Sequence, residues 1–244
     1  MKVITPNCRV QFTAGDVEFI AKVLDRNSCR DGQESSCLTE LLTDESSRDL
    51  LLDNEALVQA LLDLRGCLHI SSHCYFYILV RHALRRAGIE EREVADYIAE
   101  VLSEFSSADR LCAASPTSGQ PMEYFFEMLA ALKEADDLTQ FLIRAHMGNQ
   151  SLFMTGVFPS RIRHRRETRG FPGLDYYESL GRSSFKEASH HRLAEKYNLA
   201  EVFDNLGAHF HQARQALNDL ADRVFSVGED YRSIDSLLRR LGTS

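Results

Sequence analysis

The sequence predicts an all-α protein, a multi-helix bundle of roughly nine or ten helices around a central hydrophobic helix at about residues 71–87. Apolar residues recur at helical spacing almost throughout the chain, and runs of Val, Ile and Thr with strict alternation are nearly absent. Composition adds a third observation: with 44% hydrophobic and 26% charged residues, the 244-residue chain is globular in character and long enough to bury a sizeable core. A single compact helical domain over residues 1–244 is expected. Any subdomain boundary belongs in the linker 106–121, where Ser, Pro and Gly gather between periodic stretches.

Each element follows from local pattern. The first ten residues read as one extended piece. Thr13 followed by Asp16 marks a helix start, and Val17, Ile20, Ala21 and Leu24 give that helix one apolar stripe. A polar loop covers 27–36. Leu38, Leu41 and Leu42 predict a short helix, Leu50 to Leu52 another, and Asn54 caps the segment carrying Leu57, Val58, Leu61 and Leu62. From Ser71 to Arg86 the chain is at its most hydrophobic, and Cys74 to Val80 is apolar on every side, so this helix belongs in the middle. Gly88 ends it. Val94, Tyr97, Ile98, Val101 and Leu102 mark an amphipathic helix, which the short connection makes its antiparallel neighbour.

Beyond the linker, Met122 to Leu132 and Ala135 to about Met147 read as helices, the second extending through Leu152 and Phe153. Within it Asn149, Gln150 and Thr155 lie in an uncharged stretch where Gly148 or Gly156 predicts a close-packed turn. Pro159 precedes a basic stretch, and Gly170 to Gly173 must turn. Tyr176 to Ser189, Leu193 to Tyr197, Leu199 to Phe225 and Ser233 to Leu241 complete the helices. No internal repeat occurs at solenoid spacing.

The formal net charge of −8 argues against non-specific binding to nucleic acid or an anionic membrane. That charge is uneven. Residues 1–110 carry 19 acids against 12 Lys plus Arg, 111–160 carry 5 against 2, and 161–244 carry 12 against 14. An anion-binding surface therefore belongs to the last third. Six cysteines sit in a chain that needs no disulfide to fold, and the opening residues lack the continuous apolar run of a secretory signal, so a cytoplasmic protein with reduced thiols is expected. The longest membrane-span candidate, Gly66 to Val80, has 15 residues and contains two His and two Ser, too short and too polar to cross a bilayer.

Arg161, Arg163, Arg165, Arg166 and Arg169 fall within nine residues, with His164 among them and only Glu167 opposing. Forked guanidinium groups on an acidic background suit phosphates or a carboxylate-rich partner. Phe171, Tyr176 and Tyr177 follow at once and offer flat faces for stacking. The blander alternative is a solvated helix, or one whose arginines pair with acids of the same molecule, which would leave no free patch.

Cys67, His69, His73 and Cys74 put four transition-metal ligands within eight residues. On a continuous helix only His69 and His73 are one turn apart, so a metal site would need carboxylates from other helices. Satisfied histidines and buried thiols are the structural alternative. His209 and His211 point to nearly opposite sides of a helix, and Glu187 with His190 is a single Glu-x-x-His match without a second copy. His73, Tyr77, Arg81 and Arg85 form one line along the hydrophobic helix, either a buried polar network or, at His73, Tyr77 and Arg81, the wall of a pocket. The common nucleotide-binding and hydrolase motifs are missing, and the sequence does not decide whether there is catalysis.

Three functional expectations follow. The leading one is a helical binding or regulatory protein that engages an anionic ligand or acidic protein partner through the Arg-rich segment with Tyr176 and Tyr177. It needs no cofactor. The alternative is a metal-dependent helical enzyme using His69 and His73, with a transition metal as cofactor. A subunit of a larger assembly, including a homo-oligomer, would instead show an exposed apolar helix face. Duplex DNA is disfavoured by net charge and by the lack of a recognition motif.

Overall fold

In the computed structural model the described residues are 2–28, 44–63, 70–106, 113–114, 121–122 and 124–226. They form a 3-10 turn (Cys8–Gln11) and twelve α-helices: α1 (Ala14–Ser28), α2 (Glu45–Leu52), α3 (Glu55–Asp63), α4 (Ser72–Arg86), α5 (Arg92–Phe105), α6 (Phe125–Ala131), α7 (Asp137–Val157), α8 (Pro159–Arg169), α9 (Leu174–Ser189), α10 (Arg192–Lys196), α11 (Ala200–Ala208) and α12 (Phe210–Ser226). The one extended pairing among them is a two-residue antiparallel bridge, β1 (Ala113–Ala114) with β2 (Pro121–Met122). The protein is all-α. No helix among the described residues is long and apolar enough to cross a membrane.

Helix starts follow the side chains that cap them. Thr13 N–H donates to Asp16 Oδ2 at 2.6 Å, and Asp16 N–H donates back to Thr13 Oγ1 at 3.3 Å, closing a reciprocal box at the head of α1. The fully buried Asp16 also accepts from Ser71 N–H and from Ser71 Oγ, at 2.6 and 2.7 Å. Ser71 in turn caps α4 by accepting from Cys74 N–H. One carboxylate thus locks the starts of two helices together. Asn54 accepts from Ala56 N–H at 2.9 Å at the head of α3, as its position predicts.

α4 is buried continuously from Cys74 to His82 and again at Leu84, and it packs against α5, α12, α3 and the 3-10 turn. The second half of the molecule gathers around α7, against which α9 and α12 lie. An aromatic cluster joins the two halves: Phe203 of α11 meets Tyr97 of α5 at 5.4 Å, Phe185 of α9 at 5.5 Å and Phe141 of α7 at 6.1 Å between ring centroids. One hydrophobic core therefore runs from Cys8 to Leu217, on both sides of the linker 106–121, most of which lies outside the described residues. A small second cluster, Met122, Met128, Ile143 and Met147, seats α6 on α7.

Two expected elements differ. The segment Leu199 to Phe225 is broken at His209, whose φ of −107° and ψ of 22° end α11 before α12 begins, and the break brings the buried Phe210 against Phe185. Gly148 and Gly156 mark close packing without a turn, because α7 runs straight through both. A Cβ at Gly148 would lie 2.8 Å from the Phe185 ring, and one at Gly156 would lie 2.8 Å from Leu217 Cβ. The polar residues beside them are structural: Asn149 accepts from Tyr97 Oη at 2.9 Å, and Thr155 Oγ1 donates to the Ser151 carbonyl at 2.7 Å. The predicted helices at Leu38 to Leu42 and Ser233 to Leu241 lie outside the described residues.

Close packing of α9 gives a test of the core. A Cβ on Gly181 would lie 2.5 Å from the buried ring of Phe210 and 2.8 Å from Ser151 Oγ. Alanine in mid-helix favours the helix by about 1 kcal/mol over glycine, whereas overpacking costs about 1–3 kcal/mol. Gly181→Ala is expected to lower the urea midpoint, and a midpoint at or above that of the parent would contradict this packing.

Candidate functional site

The polar line on α4 is an ion-pair network. Arg81, only 3% exposed, holds Asp53 through Nε at 2.9 Å and the Glu90 carbonyl through Nη1 at 2.7 Å. Arg92 reaches the same Asp53 through Nη2 at 2.6 Å, and Arg85 stands 3.6 Å from it. Above them the buried Arg9 pairs with Asp96 at 2.7 Å and Asp49 at 2.8 Å, and its guanidinium lies 5.6 Å from the centroid of the fully buried Tyr77 ring. His73 Nε2 lies 3.4 Å from Glu100 Oε2, and its carbonyl accepts from the Cys8 thiol.

The pKa shifts follow from burial set against pairing. Desolvation pushes Asp96 and Glu100 up, against the opposing pull of Arg9 and His73 respectively, and raises Tyr77 to about 12. Asp53 goes the other way. Desolvation opposes its ionisation, but the combined hydrogen bonds and charges of Arg81 and Arg92 hold its carboxyl below the usual range.

His73 and Arg81 thus face carboxylates, and Tyr77 is fully buried. None of them lines either of two cavities on the described surface. One, of about 550 Å³, is a groove beside α9 and α11 that includes Glu178, Arg182 and Lys186. Its Lys186 is tied to Asp204, and its Glu178 to Arg214 at 2.9 Å. The other, of about 210 Å³, lies among α3, α4 and α12, with Leu79 and Leu220 in its walls. The buried His82 also borders it, and desolvation lowers the pKa of that imidazole.

Of the proposed metal ligands, His69 lies outside the described residues, as does Cys67, while His73 has Glu100 as its carboxylate neighbour. Among the described residues no group of three or more His, Cys, Asp or Glu side chains is placed to hold an ion. His211 pairs with Glu178 at 2.9 Å, and Glu187 pairs with Arg144 at 2.7 Å.

The arginine segment is a different environment. Pro159 opens α8 and suits a first-turn position, Ile162 is its one buried residue, and Gly170, with φ of 67°, ends it in a left-handed cap. Arg161, Arg163, Arg166 and Arg169 are exposed and Arg165 is half-buried. Among the described residues none of the five forms an ion pair with a carboxylate. They do not share one face. At about 100° per residue, Arg161, Arg165 and Arg169 form one stripe, while Arg163 and Arg166 lie across the helix from it. Arg166 lies against the chain at Gly173, where a Cβ would come within 2.8 Å of Nη1.

Arg165 lies 4.6 Å from the centroid of Phe171, a cation–π geometry. Phe171 stacks on Tyr124 at 6.3 Å, and Tyr124 stacks on Phe126 at 5.5 Å. Tyr177 is half-buried against Phe125 at 5.5 Å and edge-on to the exposed Tyr176 at 5.6 Å. Desolvation raises the Tyr177 phenol, with the Arg165 charge acting in the opposite direction. Sequence placed Tyr176 and Tyr177 near the arginines but gave Tyr124 and Phe126 no such role. The available signal was three aromatics in a row, Tyr124 to Phe126, which span about 200° of a helix and can all be buried only where the helix is covered on every side, as at Tyr75 to Tyr77 of α4.

Comparison with known protein families, with curated protein sequences and with solved structures finds no match.

The network at Asp53 carries a pH signature. Because its folded pKa is depressed, the stability it contributes is complete above the unfolded pKa and is lost as pH falls through the folded one. Asp53→Asn is expected to cost about 1–2 kcal/mol near neutrality, less than for a fully buried pair because Asp53 keeps part of its solvent contact. That difference should shrink towards zero on acidification below the ordinary carboxylate range. Urea unfolding of both proteins across pH checks this, and a gap independent of pH would rule out ionised Asp53 as its source.

Proposed function

We propose that this chain is a helical binding or regulatory protein that engages an acidic protein partner or other anionic ligand through α8. The observation that carries the reading is the environment of the five guanidinium groups. Four of them are exposed and Arg165 is half-buried over Phe171, and none has a carboxylate partner among the described residues, in a chain of net charge −8. Elsewhere arginines such as Arg9, Arg81, Arg92, Arg192 and Arg214 do have such partners. An exposed guanidinium keeps its fork of donors free for a carboxylate or phosphate, and each charge-assisted bond gains strength as the partner excludes water.

One feature supports a cytoplasmic setting. The described cysteines Cys8 and Cys74 are free thiols, and burial pushes both above the ordinary thiol range, which keeps them unreactive. The metal-dependent alternative retains the His73–Glu100 contact as its only described support.

Replacing Arg163, Arg165 and Arg166 together with Ala is expected to weaken capture on immobilised polyglutamate, and of acidic partners in a pull-down, by about tenfold or more. Capture by the parent protein should also fall with rising salt. The far-ultraviolet circular dichroism spectrum should stay unchanged, since these side chains are not part of the core. Equal capture by the triple variant would remove the proposal.

A further inference from the structure

Seven large apolar side chains are strongly exposed among the described residues, and five of them, Tyr124, Phe126, Leu129, Leu138 and Tyr176, lie on α6, at its N-cap or in the first turns of α7 and α9. Burial would stabilise an aromatic ring, and exposed rings gathered together mark a contact surface more often than scattered ones do. Phe126 is 65% exposed and Tyr176 43% exposed. Phe126, Tyr124 and Phe171 are stacked, and the stack ends on the guanidinium of Arg165. Arg161 and Arg169 lie one turn to either side of Arg165, so the apolar stack runs directly into the positive stripe of α8.

We infer that the Phe126–Tyr124–Phe171 stack and the Arg161–Arg165–Arg169 stripe form one docking surface for a short acidic segment of a partner protein, a segment that carries an aromatic or leucine anchor beside its carboxylates. The inference rests on the acidic-partner reading and specifies the partner. Charge complementarity fixes the carboxylates at the α8 end. The other end excludes a uniform polyanion: Glu127 and Glu134 stand on or beside α6 and Asp175 beside Tyr176, so regularly spaced phosphates would meet carboxylates where they met the rings. A peptide tolerates that border, because it can place its apolar side chain there and keep its charges on the arginines. Aromatic side chains with a neighbouring Arg are also the groups that dominate binding energy at protein interfaces.

Selection from a library of short random peptides on the immobilised full-length chain tests this. Enriched peptides are expected to carry at least one Phe, Tyr, Trp or Leu within about a helical turn of two or more Asp or Glu. Phe126→Ala and Arg165→Ala should each weaken them by about tenfold, the loss expected for a central interface residue. Phe126 is too exposed for its truncation to unfold the protein. If the selected peptides are acidic and respond to the triple arginine variant but bind Phe126→Ala unchanged, the two-part surface is wrong while the acidic-partner reading stands. Enrichment of no peptide, or of peptides lacking either component, overturns the inference. Tighter binding to oligothymidine or to phosphatidylserine vesicles than to the selected peptides overturns it in favour of nucleic acid or membrane.

Discussion

Three arginines converge on Asp53, from α4 and from the start of α5, and Asp49 and Asp96 take Arg9 in the same buried region. The buried members, Arg81, Arg9 and Asp96, persist as charges only when paired and hydrogen-bonded, so the lengths and registers of α2, α4 and α5 have to deliver their partners to them. The apolar faces pack around that requirement. Arg81 could not stay at 3% exposure if α2 ended a turn earlier, because Asp53 caps α2 and receives Arg81 at the same time. The acids of the first hundred residues include this matched set, which neutralises the arginines closest to it.

The opposite condition holds at α8. Only Ile162 anchors this helix in the core, Glu167 is its one acid, and Arg165 lies over the Phe171 ring, with no carboxylate paired to any of the five arginines among the described residues. A guanidinium over a ring gives up little of its hydration and keeps its edge donors available, unlike one held bidentately by an aspartate. Arginine therefore has two uses in this chain: at Arg9 and Arg81 a buried guanidinium is neutralised by carboxylates, and on α8 charge is left outside. The Met-lined contact between α6 and α7 sets the stacked rings at the edge of that charge.

Much of the architecture could be read from the sequence because helix spacing and caps are local properties. Thr13 with Asp16, Asn54, Pro159 and Gly170 each mark a boundary through their own chemistry, and the continuous apolar run of α4 announces its burial. The break at His209 was not read from the sequence: Gly207 stands two residues before it but within the helix, and the interruption serves Phe210, which must reach Phe185 on another helix. The same holds at the site. Five arginines in nine residues are plain in one dimension, but whether acids meet them depends on contacts between distant parts of the chain. For His73, Tyr77 and Arg81 a buried polar network is the first reading of the sequence and a pocket wall the second, and the carboxylates that two of them meet, Glu100 and Asp53, come from other parts of the chain. Tyr124 and Phe126 lie 47 and 45 residues before Phe171, and only the fold brings the rings together.

The outward state of the α8 guanidinium groups, none of them paired with a carboxylate among the described residues, can be measured directly by timed modification of the native protein with an arginine-selective dicarbonyl reagent, read residue by residue by mass spectrometry. Arg161, Arg163, Arg166 and Arg169 are expected to react fast, and Arg9 and Arg81, buried and paired, to react only on unfolding. Protection of the α8 arginines to the same degree as Arg81 would contradict the assignment of this helix as the free basic surface of the molecule.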